Sequence, residues 1–186
     1  MEEKLLDVGS ERAVLAGLLQ YGIDAHVAVS DLISVDSFGN KNNKIIYRCI
    51  DDIIGNDQVP DIATLLASAE QLNCIEQIST KQELGYIKSL YDFPISQQNI
   101  FGFAVQMKKF EFARKIKKLT MKIHKDVDKV NGTESVNDII QILENPVTDF
   151  LREDDGGENP EKIGEGVEDY VKFLEENKCD IIGIPT

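Results

Sequence analysis

The stretch from Gln97 to Leu151 constrains the fold of this chain more than any other. Its pattern predicts one long helix from Gln97 to about Val130, a break at 131–133, and a second helix from Ser135 to about Leu151. In both helices apolar residues recur at spacings of three and four, which places them on one side of a 3.6-residue helix. Two such stripes joined by a tight polar turn predict an antiparallel helical hairpin. The predicted hairpin seam consists of Ile116, Leu119, Ile123, Val127, Ile139, Ile140 and Leu143.

The first part of the long helix differs, because its apolar residues spread over several faces. A helix that is apolar on more than one side must be covered on more than one side. We therefore expect the base of the hairpin to be sandwiched against a globular body or another subunit, while its tip projects. The predicted subunit interface consists of Ile100, Phe103, Met107, Phe110 and Phe112.

The residues before the hairpin predict a compact helical body over about 9–96. Apolar spacing and capping signals predict helices at about 11–20, 24–33, 42–54, 60–72 and 80–91. Thr80 and Glu83 have the spacing of a capping box, and so do Ser135 and Asp138 in the hairpin. Pro146 lacks an amide hydrogen, so we expect a kink or a break there. No convincing period-two alternation occurs before a strand-like piece at 180–184, and the predicted fold is all-α.

The composition changes after Arg152. Residues 153–164 are acidic, contain glycine and lack large apolar side chains, which predicts a flexible linker. A short helix is predicted over 165–178, and a helix of this length is marginal alone. Its apolar stripe therefore needs a partner, and the linker allows that partner to be another subunit. The predicted docking residues are Val167, Tyr170, Val171 and Leu174.

The charge of the chain is unevenly distributed. The formal net charge is −13, yet residues 101–152 carry ten basic and seven acidic side chains. The lysines of the long helix could track phosphates, or they could form a solvated face that also balances acidic segments of neighbouring chains. We favour the second interpretation, because the chain as a whole repels DNA at long range. Any binding of single-stranded DNA is expected to be weak and strongly salt-dependent.

The sequence carries no recognisable catalytic, cofactor-binding or metal-binding motif. His26 and His124 lie in different predicted helices, and we assign them structural or surface roles. No phosphate-binding G-x-x-x-x-G-K-[ST] loop occurs. Three cysteines without C-x-x-C spacing indicate a reducing compartment. No stretch approaches the roughly 20 apolar residues of a membrane span, so we expect no membrane association.

Four segments, taken in order, resemble the N-terminal part of DnaB-type replicative DNA helicases. The segment from Ser10 to Leu19 is similar to the family's first helix, E-x-x-V-L-G-x-[LM]-L. Phe38 with 44–47 resembles D-F-Y-x-x-x-H-[RQ]-x-I-[FY], and 61–65 resembles P-[IV]-D-x-x-[TL]-L. Residues 85–87 and 98–100 resemble G-G-x-x-Y-[LI] and the A-N-I that opens the long hairpin helix. The last four residues, 183–186, look like the G-[IV]-x-T that precedes the ATPase motor.

The resemblance implies a collar domain over 1–152, a linker helix that packs on a neighbouring motor, and the start of the motor at 179–186. It implies that hairpins pair between copies, in a hexamer that recruits primase and, in some systems, a helicase loader. ATP, magnesium and DNA would be bound by the motor of a longer parent chain, encoded by a bacterium or a phage and located in the cytoplasm of a bacterial or phage-infected cell. This chain itself would bind no cofactor.

An alternative from another class is a free-standing phage adaptor that binds a host replication protein through its acidic surface. This alternative predicts that the natural reading frame ends near Thr186. Reading the parent gene past that codon separates the two hypotheses.

Overall fold

The architecture comes from a computed structural model, which describes residues 5–154, with side chains to residue 152. The described α-helices are α1 (Val8–Tyr21), α2 (Ile23–Val29), α3 (Lys41–Gly55), α4 (Ile62–Gln71), α5 (Ile75–Ile78), α6 (Lys81–Tyr91), α7 (Gln97–Val127) and α8 (Val136–Asp154). A 3-10 turn at Val35–Ser37 precedes α3. No strand occurs between residues 5 and 154, and the predicted all-α fold is confirmed.

The described residues divide into two units, the first ending at Lys118 and the second beginning at Leu119, and α7 contributes to both. The helix α8 continues to Asp154, two residues into the predicted linker. The remainder of that linker and the segment at 179–186 lie outside the described residues. So does the predicted helix at 165–178, with its docking residues Val167, Tyr170, Val171 and Leu174.

Local capping explains where several helices begin. The Asp61 carboxylate accepts the Thr64 amide at 2.7 Å, and the Thr64 hydroxyl accepts the Asp61 amide at 2.8 Å. The Thr80 hydroxyl accepts the Glu83 amide at 3.2 Å. Such contacts satisfy amides that have no partner within the helix. The predicted starts of α4 and α6 are therefore confirmed to within two residues.

The predicted helix at 24–33 is longer than the helix in the structure. The structure ends α2 at Val29, where a turn follows and buries Ile33. The Ile33 amide still donates to the Val29 carbonyl at 3.0 Å, and the Ile33 carbonyl accepts the Tyr47 hydroxyl at 3.4 Å. The spacing of the longer helix predicts an inward-facing Val27, but Val27 is 67% exposed.

The short helix α5 is not among the helices that the sequence predicts. It follows a helix end in which Asn73 adopts a positive φ of 54°. The Cys74 amide donates to the Ala69 carbonyl at 2.8 Å and the Asn73 amide donates to the Glu70 carbonyl at 3.1 Å, which is the Schellman pattern. A four-residue helix has too few positions to show an apolar period.

Helix α1 lies at the centre of the first unit. Its residues from Ala13 to Leu19 are all buried, and it contacts α2, α3 and α6. The buried Glu11 carboxylate accepts the Gly39 amide at 2.6 Å and the Asn43 side-chain amide at 2.8 Å. The Tyr86 hydroxyl in turn donates to the Asn43 side-chain oxygen at 3.0 Å. This network joins α1, α3 and α6 around one carboxylate.

Helix α7 lies close to α1 at Gly17. A Cβ atom built on Gly17 would lie 2.4 Å from Cδ1 of Ile100, and Ile100 is only 1% exposed. Because Ile100 is enclosed by the core, it has little room to move. Glycine is therefore required at this position by the close approach of the two helices.

We predict that Gly17→Ala lowers the free energy of unfolding by about 1–2 kcal/mol, because overpacking outweighs the gain in helix propensity. The matched control is Gly85→Ala in α6, where an added Cβ meets nothing within 4 Å. The control should be stabilised by roughly 0.5–1 kcal/mol. Urea denaturation of both variants provides the measurement, and equal stabilisation by the two substitutions would contradict the close packing.

Candidate assembly surface

The base of α7 is largely part of the body's own core. Ile100 and Met107 are each 1% exposed in the single chain, and Phe103 is half-buried against the same core. The prediction of a subunit contact is therefore wrong for Ile100 and Met107, whose surfaces are already covered by their own chain. Phe110 and Phe112 are half-buried, and for these two and Phe103 the interface stays a prediction.

A buried carboxylate holds α7 against the 3-10 turn. Glu111 is 3% exposed, and one of its oxygens accepts the Ser37 hydroxyl at 2.6 Å. Its other oxygen lies 2.9 Å from Nζ of Lys115 and 3.5 Å from Nζ of Lys108. A buried carboxylate is tolerated when it is paired and hydrogen-bonded in this way. This contact fixes the rotation of α7 about its own axis.

These partners set the ionisation of Glu111. Burial raises the pKa of the carboxyl, but the Ser37 hydroxyl and the two lysines together lower that pKa below its ordinary value of 4.5. The carboxylate is therefore charged at neutral pH, and its negative charge is opposite to the positive charges of the adjacent lysines.

Arg114 ties the same part of α7 to two further segments. Its guanidinium donates to the Leu5 carbonyl at 2.9 Å, the Asp36 carbonyl at 2.9 Å and the Ser37 carbonyl at 2.7 Å. Guanidinium presents a rigid fork of donors, which suits several carbonyl acceptors at once. Arg114 and Glu111 therefore clamp the N-terminal segment and the 3-10 turn onto α7.

In the second unit, α8 carries an apolar stripe that its own chain leaves exposed. Positions 136, 139, 140, 143 and 151 follow helical spacing, so they lie on one side of the helix. The α8 stripe consists of Val136, Ile139, Ile140, Leu143 and Leu151, which are 75%, 37%, 47%, 55% and 55% exposed. Large apolar side chains that are exposed together on one face mark an interaction surface.

The start of α8 is fixed by a reciprocal cap. The Ser135 hydroxyl accepts the Asp138 amide at 3.2 Å, and the Asp138 carboxylate accepts the Ser135 amide at 3.0 Å. In the preceding turn the Glu134 carboxylate accepts the Gly132 amide at 3.0 Å, and Gly132 adopts a positive φ of 91°. The predicted turn and capping box are both confirmed. The predicted kink or break at Pro146 is not a break, because α8 continues through this residue, and the kink stays a prediction.

The hairpin seam is more open in the structure than two facing stripes require. Ile116 is 44% and Val127 is 47% exposed, and Leu119 and Ile123 are half-buried. On α8, Ile139, Ile140 and Leu143 keep between 37% and 55% of their surface exposed. The seam assignments stay predictions. The exposed area shows that this apolar surface is larger than one chain covers.

Residues 5–154 contain no group of three or more His, Cys, Asp or Glu side chains that could hold a metal ion. None of their helices is both long and apolar enough to span a bilayer.

The comparisons with known proteins agree with this architecture. Residues 3–109, more than half of the chain, match the family described as the DnaB-like helicase N terminal domain. The chain belongs to this family. The DnaB-like fold is also seen in the crystal structure of the N-terminal domain of DnaB helicase from Mycobacterium tuberculosis, with a TM-score of 0.67 and 17% identity. That match covers 79% of this chain and 99% of the mycobacterial chain. No curated protein sequence matches this chain.

The family match stops at residue 109, so the Glu111 and Arg114 clamp and the α8 stripe lie beyond it. Sequence reasoning did not single out Glu111 or Arg114, because both stand in a run of charged residues. The signal that could have identified Glu111 is its position on the apolar face of α7, four residues after Met107 and seven after Ala104.

We predict that Glu111→Gln lowers the free energy of unfolding at pH 7 by about 1–3 kcal/mol, because a charge-assisted buried contact is lost. The folded pKa of Glu111 lies below the unfolded one, so its stabilisation is complete above pH 4.5 and is lost as the pH falls through the folded pKa. The difference between wild type and variant should therefore shrink on acidification. Denaturation at several pH values measures it, with the exposed Glu70→Gln as control. A difference independent of pH would contradict the assigned role.

Proposed function

We propose that this domain joins copies of itself through the α8 stripe, as the assembly domain of a replicative ring helicase. The supporting observation is the row of exposed apolar side chains from Val136 to Leu151. Family membership supports a helicase context, and a ring requires contacts between subunits.

The size of the stripe is sufficient for association. Burying a Leu or Ile side chain completely contributes roughly 1.5–3 kcal/mol, so covering a half-exposed one contributes about 1 kcal/mol. The five side chains of the stripe give several kcal/mol for each copy. A two-fold contact uses the same surface on both partners and doubles that contribution. Loss of rotational and translational freedom offsets part of it, so micromolar affinity is expected.

The finer role follows from the family rather than from a site on this chain. We propose that the assembled domains form a collar that recruits primase or a helicase loader. The motor of the parent chain would unwind DNA with ATP and magnesium. A pull-down of purified primase with the assembled domain tests recruitment, and absence of binding at micromolar concentrations would overturn it. No observation supports the alternative of a free-standing adaptor.

We predict that Ile140→Asp weakens self-association by at least about tenfold, because the carboxylate would be buried against an apolar partner. Ile140 is 47% exposed, so the folded chain should tolerate the change and keep its helical circular dichroism. Gln141→Asp places the same charge on the neighbouring exposed position and serves as the matched control.

Sedimentation velocity at concentrations up to tens of micromolar compares the three proteins. Wild type and the control should form dimers or larger species with similar association constants, whereas the association constant of Ile140→Asp should be lower by at least about tenfold. A strictly monomeric wild type would overturn the proposed assembly role, and an unaffected Ile140→Asp variant would overturn the assigned surface.

A further inference from the structure

The 3-10 turn and α7 enclose a small basic pocket within the first unit. The basic pocket has a volume of about 200 Å3, and its charged lining residues are Asp36, Lys44, Glu111, Arg114, Lys115 and Lys118. Four cations stand against two carboxylates in this group. The pocket is therefore positive in a chain whose formal net charge is −13. A local reversal of sign of this kind indicates a site for an anionic group.

Most of the positive charges already have one protein partner. Glu111 lies 2.9 Å from Nζ of Lys115, and Asp36 lies 3.1 Å from Nζ of Lys44. Lys118 is exposed and forms no ion pair with any described residue. Because an ammonium group has three donors, Lys44 can accommodate a further acceptor beside Asp36.

The ionisation of Asp36 reports the field in the pocket. A hydrogen bond from Lys44 lowers the pKa of Asp36 most, and the charges of Lys118 and Lys115 lower that pKa further. Three lysines therefore stabilise a negative charge at the position of the Asp36 carboxylate. A second carboxylate placed there would be stabilised by the same three charges.

A matching anion is present in the sequence of the chain itself. The acidic segment is residues 153–158, in which four of six side chains are acidic and none is basic. It begins in the last two residues of α8, the helix that carries the exposed apolar stripe. A second copy held by that stripe would bring its acidic segment with it. Nucleic acid fits less well, because the chain as a whole repels phosphates.

We propose that the basic pocket of one copy receives the acidic segment 153–158 of a second copy. The apolar stripe then supplies most of the association energy, and the charged contact selects which surfaces meet. This inference rests on the proposed self-association. The two can be separated experimentally, because the charged contact is screened by salt and the apolar contact is not.

The test uses charge reversals in the full chain. Lys44→Glu with Lys118→Glu reverses the pocket, and Asp155→Lys with Glu158→Lys reverses the segment. Lys81→Glu with Lys88→Glu is the matched control, since both lysines are exposed on α6, away from the pocket. Sedimentation velocity measures the association constant at about 50 mM and about 500 mM NaCl, where exposed charges are weakly and strongly screened, respectively.

Each reversal alone should lower the association constant at the lower salt about tenfold, and combining the two should restore it, because the pair is complementary again. At the higher salt, wild type and variants should agree within about twofold. The control should match wild type at both salts. Circular dichroism and thermal melting of every variant establish that the fold is retained.

Four results would overturn the inference. Wild-type association that is equally strong at both salts would refute the charged contact and leave the apolar assembly intact. If the association constant of the combined variant does not return to the wild-type value, the acidic segment is not the occupant. The same conclusion follows if wild type binds a single-stranded oligonucleotide at physiological salt and only the pocket variant loses this binding. A wild-type chain that is monomeric at both salts would overturn this inference and the proposed assembly together.

Discussion

The close contact between α1 and α7 is the constraint on which the rest of the first unit depends. Gly17 lets Ile100 enter the core, and without that approach the base of α7 would have no partner in the body. Once the helices are this close, Met107 and Glu111 also face the interior, because they lie seven and eleven residues after Ile100 on the same side of α7. The apolar contact therefore determines where the polar clamp must form.

Two buried carboxylates then position segments that have no regular structure of their own. Glu11 holds the backbone that leads into α3 through the Gly39 amide, and Glu111 holds the 3-10 turn through Ser37. Arg114 satisfies carbonyls of the same turn. A buried carboxylate without such partners would cost several kcal/mol, so these residues specify one arrangement rather than adding much net stability.

The parts of this fold that depend on neighbouring residues could be predicted from the sequence. Helix periods, the cap of Ser135 with Asp138 and the turn at Gly132 involve groups within four residues of one another. The partner of each apolar face could not be predicted, because periodicity shows that a face is covered but not by what. For this reason Ile100 and Met107 were assigned to a subunit interface although their own chain covers them. The role of Glu111 was hidden for the same reason, since a long-range contact leaves no local pattern.

The structure separates the forces that hold one chain together from those available for assembly. In the first unit the large apolar residues of α1 and of the base of α7 are buried in the chain's own core. The positive charges of α7 are partly neutralised by Glu111. In α8 the apolar stripe is left exposed. A surface of this kind gives affinity without choosing an orientation, because apolar contacts are not directional. Charges beside the stripe can select one orientation of the two copies at little cost in affinity, because a misaligned copy would bring like charges together. An assembly domain built in this way can keep a stable body while the order of its subunits remains sensitive to salt.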